Sequence, residues 1–345
     1  MTGPAPLLEV EDLRVRFTTD DGVLTAVDGI SFSVRPGETL GVVGESGSGK
    51  SVANMTILGL TRADNAEISG RVVFEGRDLN ELGSEEIRSV RGNDIAMIFQ
   101  DPLTSLHPFY RIGRQMVEAI QAHRPVGDRE AKARAIELLH LVGIPDPERR
   151  FGEYPHEFSG GMRQRAMIAM ALMNDPKLLI ADEPSTALDV TIQAQILQLL
   201  ERLQRELGMA VIMITHDLGV IAEVADRVLV MYAGRVVEMG TLDEVFYDPQ
   251  HPYTWGLLGS VPRFDRPATR QLPQIPGQPP SLLHAPEGCH FRPRCPHAFD
   301  RCPQVPPLEA RVGGGHLDRC WIGPARKRDL REVAEGQIGL EAPVA

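Results

Sequence analysis

The sequence predicts an α/β fold with a mainly parallel sheet, followed by a small, irregular, cysteine-bearing C-terminal domain. Three observations predict it. A glycine-rich loop at residues 44–51 stands directly between an apolar strand and a helix. Apolar strands and helices then alternate over residues 178–239, as in a parallel sheet with helices on its faces. Beyond Gly240, residues 262–307 hold 12 of the 27 prolines, which excludes regular helix or central strand there.

The N-terminal third predicts short strands and one helix. Apolar residues alternate at positions 13, 15 and 17 and again at 30, 32 and 34, as in half-buried strands. Thr39–Val43 is predicted to be a buried strand, and a helix over 49–60 follows the loop. Two further strands are predicted at Gly70–Gly76 and Asp94–Phe99.

From about residue 102 to 171 the pattern is mostly helical, and Arg129–Leu141 is clearly amphipathic. The alternating elements that follow are Leu178–Ala181, Ile192–Glu206, Ala210–Ile214, Leu218–Ala225, Arg227–Met231 and Val236–Met239.

Composition bounds the function. The chain has 345 residues, enough for a large domain and an appendage, and its net charge of −11 disfavours a nucleic-acid groove. No secretory signal is visible and no apolar stretch approaches 18 residues. We therefore expect a soluble, cytoplasmic protein whose membrane role, if any, goes through a partner.

The glycine-rich loop has the pattern G-x-x-x-x-G-K-S in the strand–loop–helix context of a phosphate-binding loop. Its residues are Gly44, Glu45, Ser46, Gly47, Ser48, Gly49, Lys50 and Ser51. The glycines let backbone N–H groups turn inward around phosphates. Lys50 should reach the β- and γ-phosphates, and the Ser51 hydroxyl should ligate Mg²⁺.

Polar side chains follow three other predicted strands. Asp182 and Glu183 end one of them, so that Asp182 is placed to hold Mg²⁺ and Glu183 to accept a proton from an attacking water. His216 and Gln100 each follow another strand. Taken alone, His216 is typical of a structural cap and Gln100 of a turn. Parallel strands end at the same sheet edge, so all four face the crevice of the phosphate loop.

Together these residues resemble the ATP-binding subunits of ABC transporters over residues 8–240. The family order holds from the phosphate loop to the Q-loop Gln100, the signature Ser159-Gly160-Gly161-Met162, the D-loop Ser185–Asp189 and the switch histidine His216. The resemblance implies a cassette over 1–240 with an antiparallel β subdomain and a helical subdomain at about 101–172. Phe17 resembles the aromatic that stacks on adenine, and a core-facing strand residue is the alternative.

The resemblance also implies head-to-tail pairing of two cassettes. The signature of one chain then covers the γ-phosphate held by the other chain's phosphate loop. Ser159 followed by two glycines suits this role, because a hydroxyl and bare amides at a helix N-terminus favour an anion. Met162 departs from the usual Gln, which removes a side-chain amide from this contact.

Phe-Ser-Gly-Gly-Met-Arg-Gln-Arg, followed by His-Pro-Tyr-Thr-Trp at 251–255, resembles the ATPase subunits of dipeptide and oligopeptide importers over about 8–325. This implies a C-terminal domain at 241–325 and a flexible tail at 326–345. It also implies a second, distinct ATPase subunit, two permeases, an extracytoplasmic peptide-binding protein and a location on the cytoplasmic face of the membrane. Nickel and glutathione importers share the pattern and remain alternatives.

All four cysteines lie in the last sixth of the chain, at Cys289, Cys295, Cys302 and Cys320. In a reducing cytosol such a cluster indicates a metal site more than disulfides. Their spacing differs from that of common zinc ribbons, while four thiolates suit an iron–sulfur cluster or Zn²⁺. The importer resemblance implies a [4Fe-4S] cluster, with zinc or unligated cysteines as alternatives.

Two other function classes stay open. One is a soluble ABC-type ATPase that acts on nucleic acid or ribosomes, which the acidic charge and the lack of a second cassette in the sequence disfavour. The other is an iron–sulfur sensor whose ATPase is subordinate.

Overall fold

The computed structural model describes residues 5–184, 189–260, 274–310 and 314–337, with side chains left out at residue 103 and at 332–337. The D-loop residue Ser185 lies outside these ranges. No helix in the described ranges is long and apolar enough to cross a membrane.

The described strands are β1 Leu8–Thr19, β2 Gly22–Val34, β3 Thr39–Val43, β4 Ala66–Phe74, β5 Arg77–Asp78, β6 Ile95–Ile98, β7 Leu178–Asp182, β8 Ala210–Thr215, β9 Arg227–Tyr232, β10 Arg235–Thr241, β11 Glu309–Ala310 and β12 Leu317–Asp318. The described α-helices are α1 Lys50–Ile57, α2 Ser84–Val90, α3 Pro102–Ser105, α4 Ile112–Gln121, α5 Asp128–Leu141, α6 Pro147–Arg150, α7 Gly160–Ala171, α8 Val190–Leu207, α9 Leu218–Val224, α10 Leu242–Tyr247, α11 Pro252–Gly259 and α12 Pro324–Gln337.

The strands form two sheets. The larger has the order β11-β12-β10-β9-β3-β8-β7-β6, and its five strands from β9 to β6 are parallel. The smaller, β2-β1-β4-β5, is antiparallel. Helices α3 to α7 occupy the region of predicted helix. The predicted α/β fold with a parallel core, an antiparallel sheet and a helical insertion is confirmed.

The central strands separate two hydrophobic clusters, since successive side chains of a strand point to opposite faces. On β7, Leu178 and Ile180 pack with the antiparallel sheet, while Leu179 and Ala181 pack with the helical region. The buried run of β3 likewise divides between the clusters. Burial on both faces fixes the position of the parallel strands. Their carboxyl ends, where the predicted site residues lie, therefore form one rigid edge of the sheet.

The C-terminal region joins the cassette's sheet. Strand β12 pairs with β10, beside the fully buried carboxylate of Glu238. Glu238 accepts hydrogen bonds from the N–H groups of Gln250 and His251, at 2.6 and 2.8 Å, and lies 2.8 Å from His316 Nε2. Burial alone would lower the pKa of His316, but the hydrogen bond and charge of Glu238 outweigh it and raise that pKa. The region from β10 to β12 is therefore tied together by buried charge.

The tail predicted from residue 326 is helical in its described part. Residues 324–337 form helix α12, and the fully buried Lys327 pairs with the buried Asp318 at 2.7 Å. The charged sequence of this helix resembles a solvated tail, and no local pattern indicates that its lysine contacts a buried carboxylate. Residues 338–345 of the predicted tail lie outside the described ranges.

Candidate active site

The phosphate loop joins β3 to α1 and depends on glycine at specific points. Gly44, Gly47 and Gly49 have φ angles of 154°, 76° and 97°. A Cβ at Gly44 would lie 2.2 Å from the carbonyl oxygen of Met231, and one at Gly49 would lie 2.4 Å from that of Ala26. Only glycine therefore fits these two positions, which explains the first and last glycines of the motif.

Lys50 lies inside the loop. Its ammonium donates to the carbonyl oxygens of Gly44 and Glu45, at 2.6 and 3.0 Å. Burial lowers the pKa of Lys50, against the opposing effect of the Glu183, Asp182 and Glu45 carboxylates. The ammonium is thus buried between the loop backbone and the acids that end β7, where it can stabilise phosphate charge.

Asp182 and Ser51 lie side by side. Burial raises the pKa of Asp182, Glu183 raises it further, and a hydrogen bond with the Ser51 side chain and the charge of Lys50 oppose this. A hydroxyl and a carboxylate oxygen are ligands that suit Mg²⁺, which commonly takes one or two protein oxygens plus phosphates. This donor pair fits the predicted ion.

Glu183 brings together the two residues whose roles were ambiguous from sequence. Its Oε2 accepts a hydrogen bond from Gln100 Nε2 at 2.9 Å, and its Oε1 lies 3.0 Å from His216 Nδ1. Glu183 itself has φ of 47°, the left-handed region that non-glycine residues rarely adopt. Such strained conformations cluster at functional sites. We infer that the strained backbone of Glu183 serves to orient its carboxylate.

The signature caps helix α7. Ser159 is exposed and its Oγ accepts from the N–H of Met162 at 3.3 Å. Met162 is half-buried and packs against the core of the helical region, so its side chain has a packing role here. Among the described residues, no hydrogen bond or ion pair joins 159–162 to the phosphate loop of the same chain.

Two other predicted residues have local roles. Asp189, at the end of the predicted D-loop, caps α8 by accepting from the N–H of Ile192 at 3.0 Å. Phe17, on β1, is half-buried against the core of the antiparallel sheet. This placement agrees with the core-facing alternative.

One contact of the loop was missed by sequence reasoning. Arg294, between two of the cysteines, forms a bidentate ion pair with Glu45 of the phosphate loop. Tyr253 accepts a hydrogen bond from the N–H of Glu45 at 2.9 Å. The His-Pro-Tyr-Thr-Trp segment and the cysteine-bearing region therefore reach the phosphate site. The only sequence signal was the aromatic and basic content of these segments.

The four cysteines line one pocket, together with side chains that include His251, Phe291 and Trp321. All four are free thiols, and burial raises the pKa of Cys295 and of Cys320 to about 12 and raises that of Cys289. Within the described ranges no group of three or more His, Cys, Asp or Glu side chains is arranged to hold a metal ion. The convergence of the thiols is observed, while the predicted metal centre is not confirmed.

Comparison with known proteins places both parts of the chain. The family model of the ABC transporter matches residues 27–186, and that of the oligopeptide/dipeptide transporter C-terminal region matches residues 237–302.

Individual relatives match across nearly the whole chain. The oligopeptide transport ATP-binding protein OppD of Salmonella typhimurium is 54% identical over 315 residues, covering 91% of this chain and 93% of that protein. The dipeptide transport ATP-binding protein DppD of Bacillus subtilis is 51% identical over 321 residues, covering 93% and 96%. Among solved structures, the dimeric post-hydrolysis state of the ATP-binding cassette MJ0796 bound to ADP and Pi has a TM-score of 0.61 and 26% identity, covering 68% of this chain and 98% of that one.

Proposed function

The chain belongs to the ATP-binding subunits of oligopeptide and dipeptide ABC transporters, an ATP-hydrolysing family, and from that membership we propose that it powers the import of peptides through partner permeases. The observation that supports the chemistry best is the position of Glu183 between Gln100 and His216, beside the buried Lys50. The relatives favour peptide over nickel or glutathione as the solute.

The reaction transfers the γ-phosphoryl group of ATP to water. The amides of residues 44–51 and the Lys50 ammonium hold the β- and γ-phosphates. Glu183 orients the attacking water and accepts its proton as the new bond to phosphorus forms and the bond to the ADP oxygen breaks. His216 contacts Glu183 and therefore lies close enough to hold the γ-phosphate and this water.

The Ser51 hydroxyl, the Asp182 carboxylate and the Gln100 amide oxygen would hold Mg²⁺, which would supply charge neutralisation on the phosphate oxygens. Because Gln100 Nε2 donates to Glu183, its amide oxygen is left for another partner. Gln100 can thereby link the ion, the base and the helical region that begins at α3.

Two cassettes would share each ATP. The N-terminus of α7 presents the exposed Ser159 hydroxyl and the backbone N–H groups of Gly160 and Gly161. In the described residues this end makes no polar contact with its own phosphate loop, which favours service to the ATP of a second, homologous ATPase subunit. A distinct partner, giving a heterodimer, is the arrangement we propose.

The remaining partners follow from the family. Two membrane permeases would dock on the helical region. Gln100 would couple this region to the presence or absence of ATP in the site. An extracytoplasmic peptide-binding protein would deliver the solute. The chain would then lie on the cytoplasmic face of the membrane, attached through the permeases. No nucleic acid is part of this proposal.

We expect the ATPase activity of the assembled complex in lipid vesicles to rise several-fold with a peptide-loaded binding protein. The physical reason is that each ATP site is complete only when the two cassettes close on each other. In the complex, the cassettes can close only when the permeases allow it. Steady-state phosphate release is the measurement. Parallel assays with nickel-loaded or glutathione-loaded binding protein, with RNA and with a change of redox poise test the alternatives, and stimulation by one of those instead of peptide would replace this proposal.

For the cysteine pocket we propose a four-iron cluster ligated by Cys289, Cys295, Cys302 and Cys320. Four thiols facing one pocket form the donor set of such a cluster. A single Zn²⁺ would need its sulfurs gathered about 2.3 Å from one point. Zinc bound by the same four thiols is the alternative, and metal analysis of the purified protein distinguishes it from iron.

Anaerobically purified protein should accordingly be brown and contain iron and sulfide. Replacing Cys302 by Ser should abolish the colour and loosen the described residues 274–310 and 314–325, because metal binding supplies folding free energy to a segment with little apolar core. Hydrogen exchange should show the loosening of this segment while the cassette stays folded. Glu183→Gln serves as a control that keeps the metal. Zinc without iron, or no metal at all, would contradict the cluster.

A further inference from the structure

Glu45 is the second residue of the phosphate loop, and the C-terminal domain holds it at two points. Arg294 donates from Nη1 to Glu45 Oε2 at 2.5 Å and from Nη2 to Oε1 at 3.0 Å. Tyr253 accepts from the Glu45 N–H at 2.9 Å. One contact fixes the carboxylate and the other fixes the backbone, so both the charge and the path of the loop are set from outside the cassette.

The two holding residues are themselves rigid. Arg294 is 7% exposed and donates from Nε to the carbonyl oxygen of Pro276 at 2.9 Å, with the Tyr232 hydroxyl 3.3 Å from its Nη1. Tyr253 is fully buried, and its ring lies 4.6 Å from that of Tyr232 and 5.4 Å from that of Phe291. A guanidinium held in this way keeps a fixed fork for a carboxylate.

The loop needs this pairing because Glu45 carries a negative charge next to a phosphate site. Lys50 donates to the carbonyl oxygen of Glu45 at 3.0 Å, and the Glu45 carboxylate is one of the charges acting on the Lys50 ammonium. Released from Arg294, this carboxylate would compete with phosphate for Lys50 and repel the incoming charge. Arg294 offsets that charge and directs it away.

We propose that Arg294 is a positioning residue for ATP, acting through Glu45, with Tyr253 fixing the loop backbone. The C-terminal domain thereby helps to keep the phosphate loop in the conformation that binds ATP. The inference rests on the proposed ATP site and adds to it a role for a residue 249 positions away in the chain.

The test is a set of ATP titrations of the full chain. Arg294→Gln should weaken ATP binding about 10-fold, within the usual range of coupling between sites. In the Glu45→Gln background, adding Arg294→Gln should lower ATP affinity by no more than about threefold relative to Glu45→Gln alone, because the competing charge is gone and the two residues share one interaction. Arg294→Lys should fall between, because Lys lacks the bidentate fork.

In the assembled complex the same loss should appear as a raised KM for ATP with kcat nearly unchanged, because Arg294 does not touch the reacting atoms. Arg292→Gln, in the same short 3-10 helix Arg292–Arg294 and half-buried, is the matched control and should bind ATP normally. Both tryptophans of the chain, Trp255 and Trp321, lie in the C-terminal domain, so their fluorescence checks that each variant is folded.

Two results would overturn the inference. One is unchanged affinity in folded Arg294→Gln. The other is a full loss of about 10-fold on adding Arg294→Gln to Glu45→Gln, which would mean that Arg294 supports the domain generally. Absence of ATP binding by the parent chain would instead remove the proposed function itself.

Discussion

Glu183→Gln is expected to lower steady-state ATP hydrolysis by the assembled complex by about 10²–10⁴-fold, the usual cost of losing a general base. ATP binding should persist, because Lys50 and the loop amides are untouched. The substituted amide can still meet Gln100 and His216, which contact the carboxylate oxygens at 2.9 and 3.0 Å. It cannot take a proton from water. The closed pair of cassettes should therefore accumulate with ATP bound.

Phosphate release and size-exclusion chromatography with ATP are the two measurements. Glu206→Gln is the matched control, since Glu206 is exposed near the end of α8 and β8 begins just after it, at the opposite edge of the sheet from the site. It should hydrolyse ATP normally. Near-normal turnover in Glu183→Gln would show that another group accepts the proton and that Glu183 has a positional role only.

The convergence at Glu183 could be predicted from sequence for a simple geometric reason. Gln100, Glu183 and His216 each follow an apolar strand, and parallel strands end at one sheet edge. Taken singly, Gln100 is typical of a turn residue and His216 of a structural cap. Only their shared position after strands indicated a joint site, and the structure places both side chains on one carboxylate.

The contacts between distant segments could not be predicted in this way. The pairing of Arg294 with Glu45 spans 249 residues and follows no periodic pattern. The burial of Lys327 against Asp318 is of the same kind, because a charged helix normally indicates solvent exposure. Phe17 illustrates a different limitation. The alternation of apolar residues predicts that Phe17 lies on a strand, but it does not predict whether the ring contacts the core or a ligand. Such features depend on tertiary packing, which local patterns do not encode.

Ser159→Arg is expected to abolish hydrolysis at the site shared with the partner while leaving ATP binding by the isolated chain unchanged. The exposed Ser159 caps α7 and makes no described polar contact with its own phosphate loop. An arginine there would place a bulky cation where the γ-phosphate of the partner's ATP and the approaching cassette must fit. Loss of such preorganised donors typically costs on the order of 10²-fold in turnover.

Because Ser159 is exposed, the larger side chain should not disturb packing, and two controls separate the remaining causes. Ser159→Ala removes only the cap, worth about 1 kcal/mol of helix stability, and retains the backbone amides. Ser89→Arg adds the same charge at an exposed position of α2. Both should hydrolyse far better than Ser159→Arg. A large loss of ATP affinity in the isolated Ser159→Arg chain would mean that the signature serves the chain's own nucleotide, and the shared-site arrangement would have to be abandoned.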